Sequence, residues 1–296
     1  MESPIITLTT DWNLYDFFVG KVKGRLLRYI PDARIVDITH TLGPFQLTRA
    51  IFIARNACGE YPEGTVHIID VSAPQSAPGI VPRPNGAGRE QERSQRRDLV
   101  VMCEGQYYIC EDNGFPYALF SGREYKAYDT TKVTWESKEV RTFPGLDLYC
   151  KLASMLVKGF GLEEVGNPVD NLHSIATFDC VPFGDDVAAH VTHFDSYGNA
   201  YLDIPYETFE NIRQERAFTV HVSEFTITKI QFDYAPSNTP LILVVSVTGY
   251  LQVAIVGHSA EQLLGLRNNS TIHIHFGEEP KRAPLVKKER VTAVEV

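Results

Sequence analysis

The chain has 296 residues, with 28 Lys and Arg against 37 Asp and Glu; the net charge of −9 argues against a nucleic-acid or anionic-membrane surface and favours small-molecule chemistry. A chain of this length favours two domains. Five cysteines without a CxxC spacing indicate neither a disulfide framework nor a zinc knuckle. The longest apolar runs, such as Leu241 to Val245, are too short to cross a bilayer, and the first ten residues carry no signal-like segment, so the expected location is the cytoplasm.

Ile5 to Thr9 reads as a buried strand that stops at a polar turn, Asp11 to Asn13. Val19, Val22, Leu26 and Ile30 then recur at helical spacing. A carboxylate at the C-terminal end of the first strand of an α/β sheet stands where such sheets hold ligands, while a turn or capping role fits Asp11 equally well. Ala33 to His40 reads as a second strand. Pro44 to Cys58 follows as a helix with Leu47, Ala50, Ile51, Ala54 and Cys58 on one face, and Thr65 to Asp70 as a third strand. This alternation predicts an α/β domain with a mostly parallel sheet. No GxGxxG or GxxxxGK[ST] follows any of these strands, which excludes a dinucleotide fingerprint and a P-loop.

Residues 72–97 break the pattern with Pro, Gly and the arginines Arg83, Arg89, Arg93, Arg96 and Arg97. Two readings stand: a solvated surface insertion, or a lid that brings an arginine over a site. Leu99 to Cys103 and Tyr107 to Cys110 read as strands joined through Glu104-Gly105-Gln106, the second ending at the turn Asp112-Asn113-Gly114. Leu146 to Lys158 has the spacing of another helix. The expected organisation is an N-terminal α/β domain (1–165), a linker (166–186), a small C-terminal β-barrel of short alternating strands (187–276) and a charged tail (277–296).

His190 and His193 point to opposite faces of a strand, and His273 and His275 lack a cysteine or acidic cluster beside them, so no metal site is expected. Gly257-His258-Ser259 lacks the second glycine of a nucleophile elbow. What remains are the strand-end carboxylates Asp11, Asp37, Asp70 and Asp112, with Asp195 and Asn199 in the second domain. An ionised carboxylate accepts both hydroxyls of a ribose diol, and an amide both donates and accepts on an adenine edge.

Thr10-Asp11 with Val19-Gly20 and Lys23-Gly24, Ala33 to His40, Gly64 to Asp70, Gly105-Gln106-Tyr107 with Asp112-Asn113-Gly114, Asp195 with Gly198-Asn199, and Gly249-Tyr250-Leu251 occur in an order and spacing that resemble the S-adenosylmethionine hydroxide adenosyltransferase family, related to the fluorinase and chlorinase. The resemblance implies an N-terminal α/β domain, a C-terminal β-barrel, and a homotrimer with sites at subunit interfaces. It implies displacement at C5′ of S-adenosylmethionine by water or hydroxide, releasing adenosine and methionine, with no metal or cofactor and S-adenosylmethionine as substrate. By position, Asp11 is expected to hold the ribose diol, Phe45 to lie along the nucleoside, Asn199 to read adenine, and Asp195 to meet the methionine ammonium. Ser246 and Tyr250 line the same end of the ligand, and Asp112 and Asn113 join the substrate-binding set.

Asp70 is the expected catalytic residue, the retained member of the family's Asp, Arg and His that handle water. Pro144, in Phe143-Pro144-Gly145-Leu146-Asp147, stands at the histidine position, and residues 71–77 with the insertion replace the segment that carries the arginine in relatives. Hydrolysis is the leading activity. The alternatives are a catalytically impaired or inactive nucleoside binder, transfer to another nucleophile, and hydrolysis rescued by an arginine of the insertion placed beside Asp70.

Overall fold

The β-branched run Ile5–Thr10 forms β1, an interior strand of a six-stranded sheet with β2 (Arg34–Thr39), β3 (Val66–Asp70), β4 (Asp98–Cys103), β5 (Gln106–Glu111) and β6 (Tyr125–Asp129). The computed structural model describes residues 3–43, 46–72, 96–175, 180–235 and 239–277, which fall into two compact units, 1–177 and 178–296. The first sheet has the order β2-β1-β3-β5-β4-β6. β2, β1, β3 and β5 pair in parallel, while β4 runs antiparallel to both β5 and β6. The β4–β5 hairpin closes through Glu104 and Gly105, both at positive φ (49° and 75°), the pair of left-handed residues that a tight two-residue turn demands.

α1 (Phe18–Tyr29) buries Val19, Val22 and Leu26, as their spacing predicts, and shares one face of the sheet with α4 (Leu148–Val157). α2 (Leu47–Ala57) and the short α3 (Phe115–Phe120) cover the other face. α1 leads from β1 to β2 on one side of β1, and α2 returns the chain to β3 on the other side. The strand order therefore switches between β1 and β3, the crevice where open α/β sheets bind ligands. α3, β6 and α5 (Leu162–Val165) are additions to the elements expected from sequence.

In the second unit, β7 (Val181–Phe183) pairs with β8 (Asp186–Phe194) inside the stretch read as linker. The sheet continues through β9 (Ala200–Pro205), β10 (Phe218–Val222), β11 (Phe225–Ile227), β12 (Ile230–Gln231), β13 (Leu241–Val245), β14 (Tyr250–Ile255) and β15 (Thr271–Phe276), in the order β11-β10-β15-β8-β9-β14-β13-β12. It is a curled sheet, antiparallel except for the β12–β13 pair. Its alternation buries Val187, Ala189 and Val191 with Leu202, Ile204, Leu251 and Val253 on one face. α6 (Tyr206–Arg213) and α7 (Ala260–Leu264) complete the unit; α6 was not expected from sequence because it buries only Phe209. No helix among the described residues is long and apolar enough to cross a membrane. The tail from 278 onward and residues 73–95 of the insertion lie outside the described residues.

Candidate functional site

β1 and β3 lie side by side with Thr10 opposite Asp70, so the two strand ends bring Asp11 and Asp70 together at the switch in strand order. The Asp11 amide donates to the Asp70 carbonyl at 3.3 Å, and Asp11 Oδ2 accepts the Ser72 amide at 3.0 Å. Oδ1 of Asp11 makes no hydrogen bond among the described residues. It keeps acceptor capacity for a ligand hydroxyl.

Asp70 is far more enclosed, its side chain 11% exposed. Trp12 Nε1 donates to Asp70 Oδ2 at 3.3 Å, and the Trp12 ring lies edge-on to Phe143 and stacks near His40. Gly145 closes the site from behind: a Cβ there would stand 2.5 Å from Trp12 and 3.1 Å from Asp70 Oδ2, so only glycine lets this backbone approach. Pro144, beside it, is buried and supplies no side-chain hydrogen-bonding group where relatives are expected to carry histidine.

No arginine stands at the family position after Asp70, and an arginine of the insertion reaches Asp70 instead, as the second reading of that segment expects. Arg96, at the end of the insertion and 26 residues beyond Asp70, reaches Asp70 Oδ1 with Nη2 at 3.4 Å. Its Nε donates to Asp98 at 3.0 Å and its Nη1 meets Glu111 at 3.1 Å. Asp98 and Glu111 face each other in register across the β4–β5 hairpin, two carboxylates with side chains 7% exposed that only a cation makes tolerable together. Tyr149, fully buried on α4, donates to Asp98 at 2.7 Å and accepts from Arg96 at 3.0 Å. Burial pushes the Asp70 carboxyl up to about 6; Arg96 opposes the rise, while Asp98, Asp11 and Glu111 add to it. A carboxylate with a pKa close to neutrality is suited to accepting a proton from water.

Asp112 and Asn113 are engaged within the unit. Asp112 Oδ2 accepts both Nε and Nη2 of Arg97, and its Oδ1 accepts the His173 amide. Asn113 donates to the Val71 carbonyl at 2.9 Å and accepts the Phe115 amide at 3.1 Å, which fixes the start of α3. Phe45 lies outside the described residues. No group of three or more His, Cys, Asp or Glu among the described residues is arranged to hold a metal ion.

The second unit holds a cavity of about 730 Å³ lined by Asp195, Asn199, Tyr201, Tyr234, His258 and neighbouring residues. Asn199 is 7% exposed, and Asp195 ties it in place: Oδ1 of Asp195 accepts the Tyr197 and Asn199 amides, and Oδ2 accepts Asn199 Nδ2 and Gln252 Nε2, both at 3.0 Å. Ser246 and Tyr250 do not line this cavity. They close the β13–β14 hairpin, where Ser246 Oγ donates to the Tyr250 carbonyl at 2.8 Å. Sequence reasoning singled out neither Trp12, Asp98, Glu111 and Tyr149 in the first unit nor Gln252 and Tyr234 in the second. A signal existed for one pair, because counting outward from the Glu104-Gly105 turn sets Asp98 opposite Glu111.

Solved structures share this fold: a crystal structure of an uncharacterized conserved protein from Thermotoga maritima superposes with a TM-score of 0.71 over 92% of this chain and 99% of that one, at 23% identity. An (R)-S-adenosyl-L-methionine hydrolase from Salinispora tropica is 28% identical over 93% of this chain and 99% of the relative. A similar hydrolase from Methanocaldococcus jannaschii is 23% identical over 92% of this chain and 96% of the relative, and a fluorinase from Nocardia brasiliensis is 27% identical over 90% and 91%. The SAM hydroxide adenosyltransferase N-terminal domain matches residues 6–78 and 90–166, and the C-terminal domain of the same family matches 189–273. With both domains matched in order across most of its length, the chain belongs to the SAM hydroxide adenosyltransferase family.

Proposed function

We propose that this protein binds S-adenosylmethionine and hydrolyses it to adenosine and L-methionine. The observation that carries the reading is the enclosed Asp70 carboxylate, set beside Asp11 at the switch in strand order and faced by the Arg96 guanidinium. A water oxygen attacks C5′ as the C5′–S bond breaks, the bonding pair passes to sulfur, and Asp70 takes the water proton. The sulfonium leaves as a neutral thioether and needs no general acid, so the site works by aligning and desolvating the nucleophile. S-adenosylmethionine is the substrate, and no metal or cofactor enters the scheme.

In this reading Asp11 accepts the ribose hydroxyls with its uncommitted oxygen, Phe45 lies along the nucleoside, and Asn199 reads the base. Asp195, Ser246 and Tyr250 form the methionine end, and Asp112 and Asn113 serve the ligand by fixing Arg97 and the β3–β4 and β5–α3 connections. The approach of β11 to β13 supports reading the curled second sheet as a small β-barrel. The free cysteines, four of them buried, fit a reducing cytoplasm.

A second reading is favoured by Pro144 alone. Without a histidine at that position the chain is an impaired or non-hydrolysing nucleoside binder, or it passes the adenosyl group to another nucleophile. Incubation of the purified protein with S-adenosylmethionine, followed by chromatography, separates these outcomes. The expected products are adenosine and methionine in equal amounts; unchanged substrate or a different 5′-substituted adenosine would favour the second reading. The protein is also proposed to be a homotrimer with its sites at subunit interfaces. Light scattering at working concentration is expected to return three times the 33.2 kDa chain mass, and a monomer would contradict the assignment.

A further inference from the structure

The Arg96 guanidinium is divided among three carboxylates: Nε donates to Asp98, Nη1 faces Glu111 and Nη2 faces Asp70, with the Tyr149 hydroxyl as a further acceptor for Nη2. Asp98 and Glu111 come from neighbouring strands, and the β4–β5 register holds them opposite each other. One cation therefore stands against three anions, a formal charge of −2. Asp11, at the end of β1, adds a fourth carboxylate beside Asp70. The side chains of Asp98, Glu111 and Asp70 are 7%, 7% and 11% exposed, so water screens this excess poorly. The other groups that face Asp70, the Tyr149 hydroxyl from α4 and the Trp12 indole, are neutral.

We propose that Asp98 and Glu111 select the nucleophile: by taking up the Arg96 charge they leave the Asp70 pocket net negative, so that it admits water and excludes anions such as halide. The proposal rests on the hydrolytic reading above. Two displacements at C5′ compete in principle. In one, water forms the C–O bond, the C5′–S pair passes to sulfur and Asp70 takes the proton; in the other, a halide forms the new bond with the same leaving group and no proton moves. The second needs an anion held against a positive group, and Arg96 already serves a carboxylate on each of its three nitrogens. An anion beside Asp70 would add one more negative charge to a poorly screened site, whereas a sulfonium is drawn to the same field. The two carboxylates also keep Asp70 basic, as water requires of its proton acceptor. They act through Arg96 and Asp70, without touching the substrate, and are positioning residues.

The test follows the products and rates of the full-length protein with S-adenosylmethionine in sodium chloride and in sodium gluconate at equal ionic strength, which holds general screening constant. Wild type is expected to release adenosine at the same rate in both and to form no 5′-chloro-5′-deoxyadenosine. The double variant Asp98→Asn/Glu111→Gln keeps an acceptor for each guanidinium nitrogen but removes two negative charges, so chloride should slow adenosine release several-fold or appear in a 5′-chloro product. The same variant should move the acid limb of kcat/KM, at about pH 6 in wild type, down by about one unit, because ionised Asp70 loses two like-charged neighbours. A purely structural role would lower the rate with the limb unmoved and chloride still without effect, which overturns the proposal. Chloride inhibition of wild type, or a chlorinated product from it, overturns the proposal while leaving adenosyl transfer intact, and no product in either salt overturns both. Should the double variant fail to fold, Glu111→Gln alone, which leaves Asp98 on Arg96 and Tyr149, decides by the same two readouts.

Discussion

Asp70→Asn is expected to reduce hydrolysis by about 10²–10⁴-fold, the usual contribution of a positioned general base, while the protein becomes no less stable at pH 8. The two effects share one cause. Burial, only partly offset by Arg96, raises the folded-state pKa of Asp70 to about 6, against roughly 3.9 in an unfolded chain. Between those values the folded state holds more protons than the unfolded state, so the contribution of this group to stability falls as pH rises and the penalty is complete above pH 6. Two pKa units correspond to about 3 kcal/mol. Asparagine resembles the protonated carboxyl and removes this pH dependence, so the variant should gain on wild type in urea midpoints measured from pH 4.5 to 7.5. The wild-type rate should climb through pH 6 as the base ionises. A rate profile flat from pH 5 to 8, or a variant with full turnover, would remove Asp70 from the mechanism.

Arg96→Met is expected to cost about 3–5 kcal/mol at pH 7, the scale of breaking a buried charge pair by deleting one partner. Asp98 and Glu111 would then face each other across the hairpin with no cation between them, and Asp70 would lose its guanidinium neighbour. That is a large share of the net stability of a domain. The sign of the pH response also follows. Without Arg96 these carboxylates prefer to be protonated in the folded state, so the variant should recover relative stability as pH falls toward 4.5. Arg96→Lys keeps a charge but lacks the planar fork that serves three carboxylates at once, so it should restore only part of the loss. A loss under 1 kcal/mol in denaturant titrations would mean that solvent already screens this cluster.

The first unit was legible where local pattern and tertiary role coincide. Val19, Val22 and Leu26 sit at helical spacing because one face of α1 packs on the sheet, and β1 and β3 are β-branched-rich runs buried along nearly their whole length because both faces are covered. α3 was missed because five of its six residues are buried, so no polar face marks a period. β6 was missed for the opposite reason: Tyr125, Lys126 and Tyr128 of this edge strand keep contact with solvent, and only Ala127 is fully enclosed.

The sequence by itself determined the family, the alternation that divides the second unit into core and outer positions, and the placing of Asp11 and Asp70 at strand ends. These follow from neighbours a few residues apart or from ordered motifs. That Arg96 reaches the site was decided only by the tertiary structure, because its contacts depend on the β4–β5 register that sets Asp98 against Glu111. The same holds for Gln252. Strand alternation assigns it to the face away from the main core, and only the approach of Asp195, 57 residues earlier, and of Tyr234 makes it a buried, hydrogen-bonded link between the two. Hydrogen bonds act over about 3 Å and depend on direction, so partners far apart in sequence become readable only once the backbone has brought them together.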